Sequence, residues 1–241
     1  MKTGIIIQAR MSSTRLPGKV MMPLSGREVL WHVVKRCQMC KMADSVIVAT
    51  STDESDDTIA SFCEQNNFSY FRGSLEDVLA RYRDSAKKFE LDIVVRVTSD
   101  CPLIEPTILD AEIQKFREGS VDYVSNALNR IFPRGLDCEV FSLKALEKAN
   151  HEATAAYDRE HVTPYIVKNM RVLPFDVDEK YRGDFRLTLD EENDYKLLKL
   201  IYEKFYKEGQ IVDTSAVIQY LRENPDIAEI NKDVAQKASI G

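Results

Sequence analysis

The sequence predicts an α/β protein built on a mostly parallel sheet with helices on both faces. Three observations point there. Short β-branched runs alternate with segments whose apolar residues recur at helical spacing, the pattern of βαβ units. The first run ends in a polar loop containing Gly and Pro, as expected at the carboxyl end of a strand in this architecture. A chain of 241 residues that is 44% hydrophobic can bury a sizeable core without disulfides, metals or a membrane.

Taken in order, residues 5–9 (IIIQA) make a buried strand and 10–19 the loop that follows it. After Gly26, the residues Val29, Leu30, Val33, Val34 and Cys37 fall on one helical face, and 45–50 (SVIVAT) returns to a strand pattern. A helix over 56–65, a strand over 68–71, a helix over 75–89 and a strand over 92–98 continue the alternation. A helix over 106–116 and a strand over 122–125 follow. The second half is less regular: strand 139–141, helix 143–149, helix 159–169, strands 172–175 and 185–189, then helices 192–206 and 214–222. No Gly/Ser linker, composition break or internal repeat separates the halves, so one domain over 1–241 is expected.

Charge is unevenly spread. The net charge is −6, yet residues 1–36 carry seven Lys or Arg against Glu28 alone, leaving +6 there and −12 in the remainder. An acidic chain is a poor non-specific binder of nucleic acid, whereas a local cationic loop suits a small polyanion such as a nucleoside triphosphate. No window approaches the roughly 18 consecutive apolar residues of a spanning helix. The first residues, MKTGIIIQAR, lack the longer apolar region and cleavage site of a secretory signal. Five cysteines at irregular spacing fit reduced thiols, and Cys37–Cys40 has neither a second pair nor a nearby His to complete a zinc set. A cytoplasmic protein with no membrane or nucleic-acid partner is expected.

The strongest local signal is QARMSSTRLPGK, Gln8 to Lys19. Arg10 and Arg15 can grip phosphate oxygens bidentately, Lys19 adds a point charge, and backbone N–H groups of a turning loop can take further oxygens. It is no Walker loop, because the upstream Gly is missing and Val20 stands where a hydroxyl should hold magnesium. Two acids end strands: Asp100 closes VVRVTSD and Asp190 closes RLTLD. Both would project into the crevice beyond the sheet, where two hard oxygen ligands suit Mg²⁺ bridging to bound phosphates.

The strings IIIQARMSSTRLPGK, RVTSDCPLI, PRGLDCEVF, REHVTPYI and RLTLDEENDY, in order over residues 5–195, resemble the cytidylyltransferases that make CMP-activated sugars. The likeness is to the spore coat polysaccharide biosynthesis branch and, more distantly, to acylneuraminate and 3-deoxy-manno-octulosonate cytidylyltransferases. The resemblance implies a Rossmann-like, three-layer α/β/α nucleotide-diphospho-sugar transferase fold, a homodimer, and transfer of CMP from CTP to a sugar-type acceptor with release of pyrophosphate. By position it implies nucleotide contacts from Gln8, Ala9, Arg10, Arg15 and Lys19, and magnesium ligation by Asp100 and Asp190. Arg72, Gly73 and Ser74 would help enclose the base. The distant relatives carry Gln where this chain has Thr98, which offers one hydroxyl in place of an amide's paired donor and acceptor.

Residues about 1–125 would then bind nucleotide, about 126–190 the acceptor and the second subunit, and 191–241 would form C-terminal helices. Asn126, Arg134, Gly135, Asp137, Glu139, Arg159, Glu160 and His161 cluster in polar strings of the middle part and are the acceptor candidates. Arg134 or Arg159 could hold an acceptor's carboxylate or phosphate. Catalysis would rest on positioning and charge stabilisation by Arg10, Arg15, Lys19 and Asp100, with no covalent nucleophile. With three histidines in the chain, a His-dependent triad has little material. Competing readings are a glycosyltransferase using a nucleotide-sugar donor, which would want a DxD pattern after a strand, and a non-catalytic nucleotide-binding partner.

Overall fold

The computed structural model describes residues 1–176 and 178–235. The chain forms β1 (Thr3–Gln8), a small hairpin of β2 (Pro23–Leu24) and β3 (Arg27–Glu28), α1 (Val29–Cys37), β4 (Ser45–Ser51) and α2 (Asp57–Gln65). Next come β5 (Ser69–Gly73), α3 (Val78–Lys88), β6 (Ile93–Thr98), α4 (Pro106–Glu118), β7 (Tyr123–Ser125), β8 (Glu139–Ser142) and α5 (Leu143–Glu152). The remainder is α6 (Ala156–His161), α7 (Pro164–Asn169), β9 (Val172–Pro174), α8 (Glu192–Phe205), α9 (Thr214–Glu223) and α10 (Pro225–Ala228).

Seven strands make one sheet in the order β5-β4-β1-β6-β8-β7-β9. The four strands β5, β4, β1 and β6 are mutually parallel, while β8 runs antiparallel to both β6 and β7. Helices cover both faces, which is the three-layer Rossmann-like arrangement. Period-two alternation in β1 divides its side chains: Ile5 and Ile7 pack with Val33, Ile59 and Ile113, whereas Ile6 packs with Leu79, Tyr82 and Ile166 on the other face. A further cluster joins Leu103, Leu187 and Leu189 to Leu198 and Val217 of the C-terminal helices.

Order reverses about β1. The chain leaves β1 toward β4 and β5, then returns through α3 to place β6 on β1's other side. The loops after β1 and β6 therefore diverge and leave a crevice at their carboxyl ends.

Three local expectations change. The helix predicted over 159–169 is two helices, because Val162 takes φ 73°, ψ −55° and Thr163 N–H donates to the His161 carbonyl at 2.9 Å. That is a γ-turn of the strained hand, and Pro164 starts the next helix. Residues 185–189 alternate as a strand should, but their bonds are split. Leu187 N–H donates to Arg134, and Leu189 N–H to Asp100 at 2.8 Å, so no continuous ladder forms. The β2–β3 hairpin was not anticipated; Gly26, at φ 84°, turns it. No helix among the described residues is long and apolar enough to cross a membrane. All five cysteines are buried free thiols.

Candidate active site

At the reversal point lies a cleft of about 200 Å³ lined by residues from the β1 and β6 loops, α3, α6 and the approach to α8. Its floor starts from the last rung of the ladder, where Gln8 pairs with Thr98. The loop after β1 folds back on itself: Gly18 N–H donates to the Met11 carbonyl at 2.9 Å, and Gly18 has φ 71°, a conformation that favours glycine. Its entry is pinned by fully buried Asp56, which accepts from Met11 N–H at 2.7 Å and from the Ser51 hydroxyl at 2.5 Å. The cationic side chains of the loop are thereby turned over the sheet edge.

At the centre stands Lys19, 8% exposed. Its ammonium donates to Asp100 Oδ2 at 2.6 Å, to Asp190 Oδ1 at 2.9 Å and to the Leu189 carbonyl at 2.7 Å. Asp190 also meets Arg15 at 2.9 Å and Arg186 at 2.6 Å, while Arg15 reaches Glu191 at 3.2 Å. Burial pushes the Lys19 pKa down, but the Asp100 and Asp190 charges and hydrogen bonds outweigh it and leave the value raised. For Asp100, burial pushes the carboxyl up, and the Lys19 charge and hydrogen bonds reverse this to a net lowering. Both partners are thus held in their charged forms.

Two carboxylates, one from the turn after β6 and one from the approach to α8, converge on one cation, so the ammonium occupies a position that a divalent ion could take. Among the described residues no group of three or more His, Cys, Asp or Glu could hold a metal by itself. Mg²⁺ uses one or two carboxylates and completes its shell with water and phosphate oxygens. The donor set of Asp100 and Asp190 suits that ion.

Of the sequence-derived residues, the cleft gathers Gln8, Ala9, Arg10, Arg15, Lys19, Thr98, Asp100, Glu160, His161 and Asp190. Arg10 lies 3.8 Å from Glu160 across the opening. Gln8 Oε1 accepts from Tyr82 at 3.3 Å and Arg96 at 3.2 Å, which orients its amide. Arg72, Gly73 and Ser74 are not in the cleft lining: Arg72 is bound to the Ser51 and Asp53 carbonyls and to Asp57. Gly73 has no space for a side chain, since a Cβ there would meet Phe71 at 2.9 Å and Arg81 at 3.0 Å. The Ser74 hydroxyl accepts from Asp77 N–H at 3.0 Å.

The other acceptor candidates lie outside the lining. Asn126 is fully buried and bonded to the backbone of Leu136 and Cys138. Glu139 is held by Arg96, by Tyr123 at 2.8 Å and by Thr163 at 2.7 Å, while Arg159 ties α6 to Asp77 and Asn150. Asp137 pairs with Arg130 at 2.6 Å and accepts from Gly135 N–H at 3.2 Å. Arg134 lines a separate groove with Asp184, Arg186 and Arg222.

Arg81 and Arg186 are among the residues that escaped the sequence reading. Arg81 lines the cleft at 2% exposure, donates to the Ser74 carbonyl at 3.0 Å and keeps a buried Nε without a partner. Burial pushes its pKa down. It lies on the buried stripe of α3 with Val78, Tyr82 and Ser85, and a cation at helical spacing within that stripe was the available signal. Arg186, buried between Asp190 and Asp194, alternates with Leu187 in a strand-like run and gave no comparable sign.

A cytidylyltransferase family model matches residues 4–210. The uncharacterized protein MJ1063 of Methanocaldococcus jannaschii is 38% identical, covering 99% of this chain and 98% of its own. The spore coat polysaccharide biosynthesis protein SpsF of Bacillus subtilis is 36% identical over 92% of this chain and 95% of its own. Among solved structures, a cytidylyltransferase from Leptospira borgpetersenii superposes with a TM-score of 0.89 at 35% identity, covering 98% of this chain and all of its own. The family model spans residues 4–210 and these relatives cover nearly all of the chain, so the chain belongs to the cytidylyltransferase family.

Proposed function

We propose that the protein is a Mg²⁺-dependent nucleotidyltransferase that moves CMP from CTP to a sugar, sugar acid or sugar phosphate for surface polysaccharide synthesis, acting as a cytoplasmic homodimer. The observation that carries this is the convergence of Asp100 and Asp190 on Lys19 inside a cleft walled by Arg10 and Arg15. The spore coat polysaccharide name of SpsF supports the pathway class, and the five buried thiols fit a reducing compartment.

In this reading an acceptor oxygen attacks the α-phosphorus, a new O–P bond forms, and the α–β anhydride bond breaks to release pyrophosphate. Arg10 and Arg15 hold the β- and γ-phosphates and stabilise the charge that grows on them. With substrate bound, Lys19 would donate to a phosphate oxygen, and Asp100 and Asp190 would be the residues that hold Mg²⁺. Bound there, the ion would supply neutralisation of phosphate charge. Gln8 and Thr98 would read the base, and Arg72, Gly73 and Ser74 would help enclose it. Glu160 and His161 face the acceptor side. Burial, against the opposing Glu160 charge and with the Arg96 and Arg10 charges, holds His161 below its usual pKa, so a neutral imidazole is available to take a hydroxyl proton. Asn126, Asp137, Glu139 and Arg159, bonded within the protein, would support that wall without touching the acceptor, and Arg134 lines the neighbouring groove.

The test is pyrophosphate release by purified protein with Mg²⁺, CTP and a panel of sugar acids and sugar phosphates. Arg15→Ala and Asp100→Ala are expected to lower kcat by about 10²-fold or more with the fold retained. Turnover at the wild-type rate in both variants would refute the assignment.

A further inference from the structure

The family match ends at residue 210, yet the chain beyond it returns to the cleft. After α10, a single turn, Glu229–Asn231, buries Asn231 to 2% exposure. The Asn231 amide donates to Asp194 Oδ1 at 2.8 Å and to the Arg186 carbonyl at 2.9 Å. Asp194, fully buried, accepts from Arg186 Nε at 2.9 Å and from the backbone N–H groups of Asp190 and Glu191 at 2.9 and 3.0 Å. Arg186 in turn reaches Asp190 Oδ2 at 2.6 Å. A continuous chain of hydrogen bonds thus runs from Asn231 through Asp194 and Arg186 to Asp190. A few residues later, the Ala235 carbonyl accepts from Arg15 Nη1 at 3.3 Å, and Arg15 grips the other oxygen of Asp190 at 2.9 Å.

We infer that two groups of this C-terminal segment are working parts of the active site: Asn231 is a positioning residue that aims the Asp190 carboxylate, and the Ala235 carbonyl steers Arg15. The inference rests on the reading of Asp190 as a metal-binding carboxylate. Its physical basis is the restriction of Arg186. A guanidinium between two carboxylates can rotate, but Asp194 Oδ1 is fixed by Asn231 while Oδ2 is fixed by two backbone amides. Arg186 is therefore held at both its side chain and its own carbonyl, and Asp190 inherits that order. Partners of this kind, behind the ligands themselves, set metal affinity without touching the ion.

The test uses the full-length protein and Mn²⁺ as a spin probe, with free Mn²⁺ read by electron paramagnetic resonance in the presence of CTP, beside the Mg²⁺ dependence of turnover. Asn231→Leu is expected to weaken Mn²⁺ binding and raise the KM for Mg²⁺ by about 10-fold or more, with kcat at saturating Mg²⁺ changed much less. Asn231→Ser, which keeps one donor, should fall between that variant and wild type, and it decides the matter if Asn231→Leu does not fold. Lys232→Ala, at an exposed neighbour that pairs with Glu229, should behave as wild type. A chain ending at Lys232 keeps Asn231 but removes Ala235, and it should raise the KM for CTP. Wild-type Mn²⁺ affinity in folded Asn231 variants, beside lost affinity in Asp190→Asn, overturns the inference alone. Wild-type affinity in Asp190→Asn as well overturns the metal reading on which it rests. A lowered melting temperature with unchanged Mn²⁺ affinity would make Asn231 a stabilising residue only and also overturn the inference.

Discussion

Replacing Lys19 with Met keeps the length of the side chain and removes the cation that two carboxylates share. Asp190 retains Arg15 and Arg186, so its charge stays compensated. Asp100 loses its ion-pair partner among the described residues. Removing one partner of a buried pair costs about 3–5 kcal/mol, but Asp100 is 21% exposed and partly hydrated, which brings the expected loss to about 2 kcal/mol. For a chain of this size that corresponds to a fall of about 4–8 °C in melting temperature. The substitution also vacates the position between the carboxylates, so Mg²⁺ can enter without displacing an ammonium. At ten times its Kd the ion should return about 1.4 kcal/mol to the variant. Wild type should gain less, since there the ion must first replace Lys19. Differential scanning calorimetry of both proteins across a Mg²⁺ series, without nucleotide, measures these terms together. An unchanged melting temperature in Lys19→Met, or an equal response of both proteins to Mg²⁺, would show that the two aspartates do not form a shared cation site.

The same electrostatics set a pH dependence. Because the folded Asp100 pKa is lowered, its stabilising contribution is complete above the ordinary value of 3.8 and disappears as pH falls through the folded value. Urea denaturation of wild type and Asp100→Asn should therefore differ at pH 6 and converge below that range; a constant difference into acid would contradict the pairing. On base choice, calorimetry with CTP, UTP, GTP and ATP is expected to rank CTP tightest, and Thr98→Gln should sharpen that ranking. Equal affinity for all four nucleotides would mean that the Gln8–Thr98 edge does not read the base.

The regular half of the fold was legible because its signals are local. The runs 5–9, 45–50 and 92–98 are buried on both sides and spell out strands without reference to anything else. The order of strands then follows from connection rules, and the crevice from strand order. Legibility failed where structure depends on distant partners. The run 185–189 has the right alternation, but its bonds go to Arg134 and Asp100, far away in the chain. Val162 in a positive-φ turn carries no sequence mark, since its side chain argues against that conformation. At the site, Arg10, Arg15 and Lys19 could be read because they crowd one loop. Arg186 and Asn231 could not, because each matters only through a neighbour that folding brings to it. Glu139 and Asn126 illustrate the converse: polar residues in a polar string whose bonding capacity is taken up inside the protein.

The pairing of Gln8 with Thr98 has a wider consequence. Adjacent strands keep a separation of about 4.8 Å whatever their side chains, so the loop bearing the cations and the turn bearing Asp100 depart from neighbouring tracks of fixed gauge. Side-chain packing elsewhere can drift without rescaling that interval. Loops hung beyond it can lengthen, shorten or change composition to admit another acceptor while the reacting atoms keep their places. A slip of β6 by one residue, in contrast, would turn Thr98 to the opposite face and carry Asp100 with it. Diversification in such an enzyme is thereby channelled into the rim, and the sheet supplies the ruler against which every variant is measured.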